Sequence, residues 1–559
     1  MFTSYFSRQR EAACRLSKRL RMVGPALFLA GLQLGCASSP AGASGSELFE
    51  HLTFATGSGK AQTVVEGYFL GDNTAQLMVL SVDEEGERKL QMYRLTHNAW
   101  VPVLESTMDK DVLFVDVAGI AGRDRLVTIK RGLISWFDPE TVTYHPIATV
   151  YSNYNASQNS RGSTTRAGGE VATVDIARDL NLDGRDDLII PDFDGFWVAT
   201  QLADGSFSEP ARYGPPEPFL DAPAMNEDKS YRSLGISAGT IPVYLSRIHQ
   251  FDQNQDGRAD LVFWNNDHFD VYLQNADGLF ETEPAEVKFG VPFDSDATYS
   301  RAYDFVDEGM ISLLFGLNQS STRKILHSFQ DMNADNVADM VTLTLSGRSM
   351  LRQRSVYEVY FGETSPEGIS FSAQASAILK PAGRAGGMQP WGYSSQLFKD
   401  MNGDGQPDVM FRDVRVGFGG MARAMVGNSV ALDLEFYRQQ DGVFPDKLVT
   451  RKKVRRFSPL SGIGNIFFPP VLLGDVDGDG RSDLLIGQSP KELFVWQGVA
   501  GDEAFAREPG KVKVDLPADE RNIWLSDLNG DGKMDVIIVA GAGKRSPDQS
   551  RSVTTLIAC

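Results

Sequence analysis

The sequence predicts an all-β protein, a single β-propeller of four-stranded blades, and two repeated patterns support this. The first is a nine-residue string, D-x-[DN]-x-D-[GN]-x-x-D, which occurs six times. The second is an Asp-Gly turn followed by an aromatic residue, at residues 204–207 and 277–280. Units that start at about 68, 116, 179, 252, 331, 400, 475 and 527 are typical of blades, because one such sheet buries both faces only by stacking.

Each nine-residue string is predicted to join the first strand of a blade to the second. Apolar runs precede position 1, as at residues 171–176 and 523–525, and β-branched or aliphatic runs follow position 9, as at 188–190. Short apolar runs bounded by turn residues are typical of buried strands. The Asp-Gly turns then join the third strand to the fourth, with further copies at 441–444 and, less regularly, 367–371.

Two weaker units precede the six strings. The unit at Asp116 keeps acids at positions 1 and 9 but has Ala118 and Ile120 at positions 3 and 5, and the unit at residues 68–77 keeps only Asp72 at position 5. We expect both to be blades without a metal ion.

The last blade is predicted to be completed from the other end of the chain. The residues that follow Asp535 suffice for a second strand at 536–540 and a third at 552–558, and residues 51–56 are predicted to add the fourth. This arrangement gives eight blades, with seven as the alternative.

The six strings predict calcium sites, because they place oxygen ligands at offsets that suit a hard cation. Carboxylates or amides stand at positions 1, 3 and 5, a backbone carbonyl at 7 and a carboxylate at 9, and glycine at 6 permits a sharp turn. Asn336 replaces that glycine in one string, which asparagine tolerates. An EF-hand is excluded, because position 12 never holds glutamate. The predicted ligands are Asp179, Asn181, Asp183, Arg185, Asp187, Asp252, Asn254, Asp256, Arg258, Asp260, Asp331, Asn333, Asp335, Val337, Asp339, Asp400, Asn402, Asp404, Gln406, Asp408, Asp475, Asp477, Asp479, Arg481, Asp483, Asp527, Asn529, Asp531, Lys533 and Asp535.

The strings and the Asp-Gly-x-Phe turns resemble FG-GAP or VCBS repeats, which occur in the integrin alpha-chain propeller and in many bacterial surface proteins. The resemblance covers about residues 49–559. It implies a calcium-stabilised propeller, with up to six ions here, and no single activity. Calcium at ten times its dissociation constant would stabilise each site by about 1.4 kcal/mol. Six sites would add about 8 kcal/mol, comparable with the stability of a whole domain.

The first residues predict export. A basic region from Arg8 to Arg21 and an apolar core at 23–34 predict a signal peptide over residues 1–35. Residues 32–36 resemble a bacterial lipobox with Cys36 as the acylated residue, and residues 41–43 offer an ordinary cleavage site as the alternative. Small and polar residues at 36–48 predict a flexible tether. We expect an outer-membrane lipoprotein, with a periplasmic or secreted protein as the alternative.

Charge and cysteine content restrict the partners. The net charge of −19 argues against a nucleic-acid partner. Contact with a membrane is expected only through the predicted N-terminal lipid. We expect the protein to be a monomer. Of three cysteines, Cys14 would leave with the signal, and Cys36 could pair with Cys559 if it were not acylated.

The function predicted from this pattern is a binding or scaffold module for a protein or glycan on the cell envelope. The connections that vary in length, at about 208–246, 281–326, 412–430 and 445–470, are predicted to lie on the face opposite the calcium loops. Loops of this kind usually carry binding residues. A basic cluster could contact an anionic ligand or could be a charged outer strand: Arg451, Lys452, Lys453, Arg455 and Arg456. No catalytic motif is found, so an enzyme is not expected; a polysaccharide lyase is the alternative.

Overall fold

The computed structural model is a β-propeller. It describes residues 48–57, 61–83, 85–130, 132–150, 171–192, 195–214, 245, 247–265, 267–291, 322–346, 354–379, 396–415, 429–439, 449–457, 470–501, 503–517, 522–540 and 551–559. Within these ranges no helix combines the length and the hydropathy that crossing a membrane requires. The predicted signal peptide and tether, including Cys36, lie outside the described residues except for Leu48.

The strands of the first half follow the chain from the closing strand through four blades. They are β1 (Phe49–Gly57); β2 (Ala61–Gly67), β3 (Gln76–Val82), β4 (Arg88–Thr96) and β5 (Ala99–Met108); β6 (Phe114–Ile120), β7 (Arg123–Lys130), β8 (Leu133–Asp138) and β9 (Thr143–Ala148); β10 (Ala172–Thr173); β11 (Ala177–Arg178), β12 (Asp187–Asp192), β13 (Gly195–Ala199) and β14 (Ala211–Tyr213); and β15 (His249–Phe251), β16 (Asp260–Asn265), β17 (His268–Tyr272) and β18 (Ala285–Val287).

The strands of the second half form the remaining four blades. They are β19 (Arg323–Gln330), β20 (Asp339–Ser346), β21 (Arg354–Tyr360), β22 (Gly362–Ser365), β23 (Gly368–Phe371) and β24 (Ala377–Leu379); β25 (Gln396–Lys399), β26 (Asp408–Arg415), β27 (Ser429–Tyr437) and β28 (Thr450–Phe457); β29 (Val471–Gly474), β30 (Asp483–Ser489), β31 (Glu492–Trp496) and β32 (Gly510–Lys513); and β33 (Ile523–Ser526), β34 (Asp535–Ala540) and β35 (Arg551–Ala558).

These strands form eight blades, as predicted. Seven blades have four antiparallel strands that follow one another in the chain. Two of the seven have additions: β10 pairs in parallel with β6 at the edge of blade 2, and β22 and β23 form an extra hairpin between the third and fourth strands of blade 5. Blade 8 has the order β1-β35-β34-β33, so a strand from near the beginning of the sequence is its outer strand. The predicted ring closure by residues 51–56 is therefore confirmed. The hairpin occupies the place of the less regular turn at 367–371.

The hydrophobic core lies between blades rather than within any one of them. One cluster joins Met78 and Leu90 of blade 1 to Leu126 and Phe137 of blade 2. The cluster between blades 8 and 1 has the same construction, and includes Ile537. This packing follows from the sequence, because the second strand of each blade is apolar on both faces and needs a neighbour on each side.

Two kinds of predicted boundary are wrong, that of one first strand and those of the connections between blades. Residues 171–176 were expected to form the first strand of blade 3, but β10 pairs in parallel with β6 of blade 2, and the short β11 takes that place. Residues 208–246, 281–326 and 445–470 were expected to be connections, but they include β14, β18 and β28, the outer strands of blades 3, 4 and 6. The partner of β10 lies in the preceding blade, far away in sequence, whereas β28 pairs with the preceding strand β27 and was missed because its charged composition is not that of a buried strand.

Candidate metal centre

Each nine-residue loop is folded by hydrogen bonds to its own carboxylates. In blade 6, the backbone N–H of Gly405 donates to Asp400 Oδ2 at 2.8 Å, and the N–H of Asp404 donates to Asn402 Oδ1 at 3.0 Å. The N–H of Gln406 in turn donates to Asp404 Oδ1 at 2.9 Å. The bond from position 6 to position 1 recurs in all six loops, at 2.7–3.0 Å. The acidic and amide side chains at positions 1, 3 and 5 therefore face a common interior.

Position 6 has the left-handed backbone that the sequence pattern requires. The glycines there have φ between 84° and 90°, and Asn336 adopts φ 65° in the loop of blade 5. Asn336 thus adopts the same left-handed turn as glycine and keeps the hydrogen bond to position 1, since its N–H donates to Asp331 Oδ2 at 2.8 Å.

The aspartate at position 9 holds the loop to the blade. In blade 3, Asp187 accepts the N–H of Leu180 on Oδ2 at 3.1 Å and the N–H of Gln201 on Oδ1 at 2.9 Å. The other five loops repeat both bonds, with Asp260, Asp339, Asp408, Asp483 and Asp535 as acceptors. All six carboxyl groups are at most 2% exposed. The sequence pattern marked position 9 as a ligand and missed this second role.

Burial raises the pKa of each position-9 carboxyl, because desolvation disfavours the ionised form. The pKa of Asp187 is raised to about 8, since burial outweighs the two backbone hydrogen bonds that lower it. The pKa values of Asp483 and Asp535 are raised to about 7, again chiefly by burial. Those of Asp260, Asp339 and Asp408 are raised to about 6. A cation beside these groups would favour their ionised form.

Arginine at position 7 pairs with the loop in three blades. The guanidinium groups of Arg185, Arg258 and Arg481 contact the position-5 carboxylates of their own loops. Their Nε atoms also donate to the carbonyl that follows the third strand, at 3.0–3.4 Å. Position 7 was predicted only as a backbone ligand, so this side-chain contact was missed.

The donor set of the loops fits a hard divalent cation. In blade 7, one oxygen from each of Asp475, Asp477 and Asp483 lies within 4.8 Å of the others. Each carboxylate oxygen has two lone pairs, so an oxygen that accepts one N–H keeps a lone pair for a cation. Among the described residues this is the one group of three acids whose oxygens lie so close together. The other five loops have asparagine at position 3, and their acids at positions 1, 5 and 9 do not approach one another as closely.

The six loops lie on one face of the ring, which we call the loop rim, and adjacent blades are hydrogen-bonded there. The N–H of Ser482 in blade 7 donates to the carbonyl of Met401 in blade 6 at 2.9 Å. The N–H of Met534 in blade 8 donates to the carbonyl of Asp475 in blade 7 at 2.8 Å. In the same way, Gln274 Nε2 of blade 4 donates to the carbonyl of Asn181 in blade 3 at 2.9 Å.

In blades 1 and 2 the first two strands are joined without the acidic loop. In blade 1, Asp72 pairs with Arg94 at 2.6 Å, and Gln76 stands at position 9, where its Oε1 accepts the N–H of Leu70 at 2.8 Å. In blade 2, β6 and β7 are joined by a tight turn at Ala121 and Gly122, both with positive φ.

The basic cluster lies on β28, the outermost strand of blade 6. Arg451 pairs with the fully buried Glu435 at 2.6 Å, and the Lys452 ammonium lies 5.1 Å from the centre of the Trp496 ring in blade 7. Burial lowers the pKa of Lys452. The side chains of Lys453, Arg455 and Arg456 lie outside the described residues. The two described cations thus take part in packing, as expected for a charged outer strand.

Residues 475–538, which span most of blade 7 and the start of blade 8, match the family described as FG-GAP-like repeat. No curated protein matches the chain. Among solved structures, the Vibrio cholerae biofilm matrix protein Bap1 is 11% identical, with 92% of this chain and 91% of that chain covered and a TM-score of 0.35. The Dos1 propeller is also 11% identical, with 91% and 94% covered and a TM-score of 0.35.

The Tc holotoxin pore of Photorhabdus luminescens is 14% identical, with 86% of this chain covered and a TM-score of 0.30. This chain spans only 17% of the length of that toxin chain. With TM-scores this low, these similarities support no conclusion about function.

Proposed function

Because the chain is an eight-bladed β-propeller that carries an FG-GAP-like repeat, we propose that it is a calcium-binding, lipid-anchored module that binds a protein or glycan on the cell envelope. The observation that carries this proposal is the loop rim. Six loops with the same internal hydrogen bonds lie on one face, and the strands joined by the longest connections between blades, β14 to β15 and β18 to β19, end and begin on the other.

Calcium is proposed because oxygen atoms make up the donor set. The side chains at positions 1, 3, 5 and 9 and the carbonyl at position 7 would hold the ion in each loop. The ion would supply positive charge where three or four acidic or amide groups meet. These residues then keep the loop closed against the next blade, which makes the role of the metal structural rather than catalytic.

Thermal unfolding tests the calcium proposal. Chelation should lower the melting temperature markedly, because six sites at saturating calcium would contribute about 8 kcal/mol. Calcium added back in excess of the chelator should restore the transition, and magnesium at the same concentration should restore less, because magnesium demands a stricter octahedral shell. Melting that is the same with and without chelator would contradict the proposal.

Binding is proposed for the face opposite the loop rim. The strand connections on the loop rim are the nine-residue loops and short turns, while the numbers of residues in the opposite connections differ from blade to blade. Long connections on a rigid scaffold are where binding residues usually lie. A glycan array followed by an elimination assay on acidic polysaccharides would test this proposal. Retention without product supports a binding module, and an ultraviolet-absorbing product would favour the lyase alternative.

Lipid anchoring at Cys36 is the part of the proposal that concerns location. The sequence around Cys36 resembles a lipobox, and β1 begins 13 residues later, at Phe49, so an acylated terminus would be tethered beside blade 8. Metabolic labelling with an alkyne fatty acid in a bacterial host should mark the protein, and the Cys36→Ser variant should remain unlabelled. Equal labelling of both forms would contradict acylation at Cys36.

A further inference from the structure

The ring closes where blade 8 meets blade 1. Elsewhere, neighbouring strands of one four-stranded blade follow one another in the sequence, but β35 is joined to β1 by strand pairing between segments that are far apart in the sequence. The register runs from Phe49 opposite Ala558 to Gly57 opposite Arg551, with a bulge near Ala55. The ring can open at this point by separation of β1 from β35, without any rearrangement of a connecting loop. The contacts near this pair of strands therefore determine how readily β1 separates.

The loop of blade 8, residues 527–535, contacts blade 1 directly, and we call it the closure loop. Its Leu528 carbonyl accepts the N–H of Ala75 at 2.9 Å, and its Asp527 carbonyl accepts the hydroxyl of Tyr68 at 2.9 Å. The backbone of Asn73 packs against Gly530 so closely that a Cβ there would collide with it. Asp527 is 4% exposed, whereas the position-1 aspartates of the other five loops are half-buried.

The closure loop also holds the strand that pairs with β1. Asp535 accepts the N–H of Ala558 on Oδ1 and the N–H of Leu528 on Oδ2, both at 2.8 Å. The ammonium of Lys533 donates to the carbonyl of Cys559, whose N–H donates to the carbonyl of Leu48 at 3.1 Å. One loop is thus bonded to blade 1, to the end of β35 and, through Cys559, to the residue before β1.

We propose that the closure loop controls opening of the ring, so that its calcium site has a role that the other five sites do not share. The proposal rests on the proposed calcium binding. A closed loop presents the carbonyls of Asp527 and Leu528 to blade 1 and the carboxylate of Asp535 to Ala558. Loss of the ion leaves the carboxylates of Asp527 and Asp531 facing each other without a counter-charge, which favours an open loop and releases these contacts together. Release of β1 then follows at this interface before any other blade separates.

Hydrogen exchange of the full mature chain in calcium tests this proposal, with two matched double variants. Asp527→Asn with Asp531→Asn alters the closure loop, and Asp400→Asn with Asp404→Asn alters the loop of blade 6, which has the same acids and glycines at positions 1–6. Each variant should bind one calcium ion fewer than the parent. Amides of β1 and β35 should exchange about tenfold faster in the closure-loop variant and at the parental rate in the blade 6 variant.

The outcomes separate the two proposals. If both variants lose one ion and β1 exchanges equally in both, the closure role is wrong and calcium binding stands. If the parent binds no calcium, the proposed function fails, and the closure role fails with it.

A second variant avoids the metal ligands. Tyr68→Phe removes only the hydroxyl that bonds to the Asp527 carbonyl. Because coupling between two sites is reciprocal, this variant should lower the calcium affinity of one site by about three- to tenfold and speed exchange of β1. Tyr93→Phe in the same blade, whose hydroxyl contacts Gln91 and no loop, is the control. Parental calcium affinity at every site of Tyr68→Phe would overturn the closure role.

Discussion

Blades 1 and 6 form the same connection between their first two strands in different ways. In blade 1, Arg94 neutralises Asp72 and the amide of Gln76 occupies position 9. In blade 6, four acidic or amide side chains converge, and Asp408 occupies position 9 as a buried carboxyl. The comparison shows that position 9 serves as a hydrogen-bond acceptor in both blades. What differs is the source of positive charge, which is an arginine in blade 1 and, in our proposal, calcium in blade 6.

The largest effect should be a pH dependence that appears only after chelation. The pKa values of the six position-9 carboxyls are raised by burial to between about 6 and 8, against about 3.9 in the unfolded chain. Between these limits the folded chain binds more protons than the unfolded chain. The free energy of unfolding of the chelated protein should therefore fall as pH rises from about 4 to 8.

Urea unfolding at pH 5, 6.5 and 8 measures this dependence. Calcium should flatten it, because the ion favours the ionised carboxyls, and calcium affinity should itself weaken toward pH 5. Blade 1 has no such carboxyl at position 9, since Gln76 does not titrate. Chelated stability that is constant or rises with pH would show that the buried carboxyls do not titrate as inferred.

The next largest effect should come from Asp483→Ala, which removes an acceptor that is needed with or without metal. The N–H groups of Val476 and Gly498 would lose their partner inside the blade, at a cost of about 3 kcal/mol in the free energy of unfolding. Urea unfolding in chelator measures this cost. The control is Asp479→Ala at the exposed position 5, which should cost less than about 1 kcal/mol there. Equal costs would show that position 9 acts only as a metal ligand.

The sequence was sufficient for the parts of the fold that repeat locally. The strings placed the join between the first two strands of six blades, and the Asp-Gly turns at 204–207 and 277–280 placed the third and fourth strands of blades 3 and 4. The turn predicted at 441–444 lies outside the described residues. The tolerance of asparagine for a left-handed turn was confirmed at Asn336. The closing strand was also predictable, because the last unit lacked a fourth strand. These features depend on residues a few positions apart, whose geometry a short motif determines.

The sequence was insufficient where partners lie in different blades. Residues 171–176 were apolar enough for a first strand, but only the folded ring shows β10 beside β6. Gln274 gave no motif, since it donates to a carbonyl of the preceding blade. The arginines at position 7 were missed within one blade, since the carbonyl that each contacts follows the third strand and is placed by the folded sheet. The sequence did not show that the buried aspartate at position 9 accepts two backbone hydrogen bonds. An aspartate at this position is equally consistent with a metal ligand and with a hydrogen-bond acceptor.

A smaller effect should follow from changing the charge of one loop. Asp477 gives blade 7 a third carboxylate, where the other five loops have asparagine. Asp477→Asn should weaken calcium binding at that site roughly tenfold, because affinity follows the number of charged ligands. Asn529→Asp should strengthen the site of blade 8 by a similar factor. Isothermal calorimetry measures both, and an unchanged affinity in both variants would indicate that position 3 does not contact the ion.

The smallest effect should come from Arg94→Ala in blade 1. The pair between Arg94 and Asp72 is partly exposed, so its loss should lower the free energy of unfolding by only about 0.5 kcal/mol, to the same extent in calcium and in chelator. Asp404→Asn in blade 6 should behave differently, with a cost in calcium that disappears in chelator. Paired urea curves for the two variants measure this contrast. A calcium-dependent cost for Arg94→Ala would place an ion in blade 1 as well and would remove the distinction between the two kinds of blade.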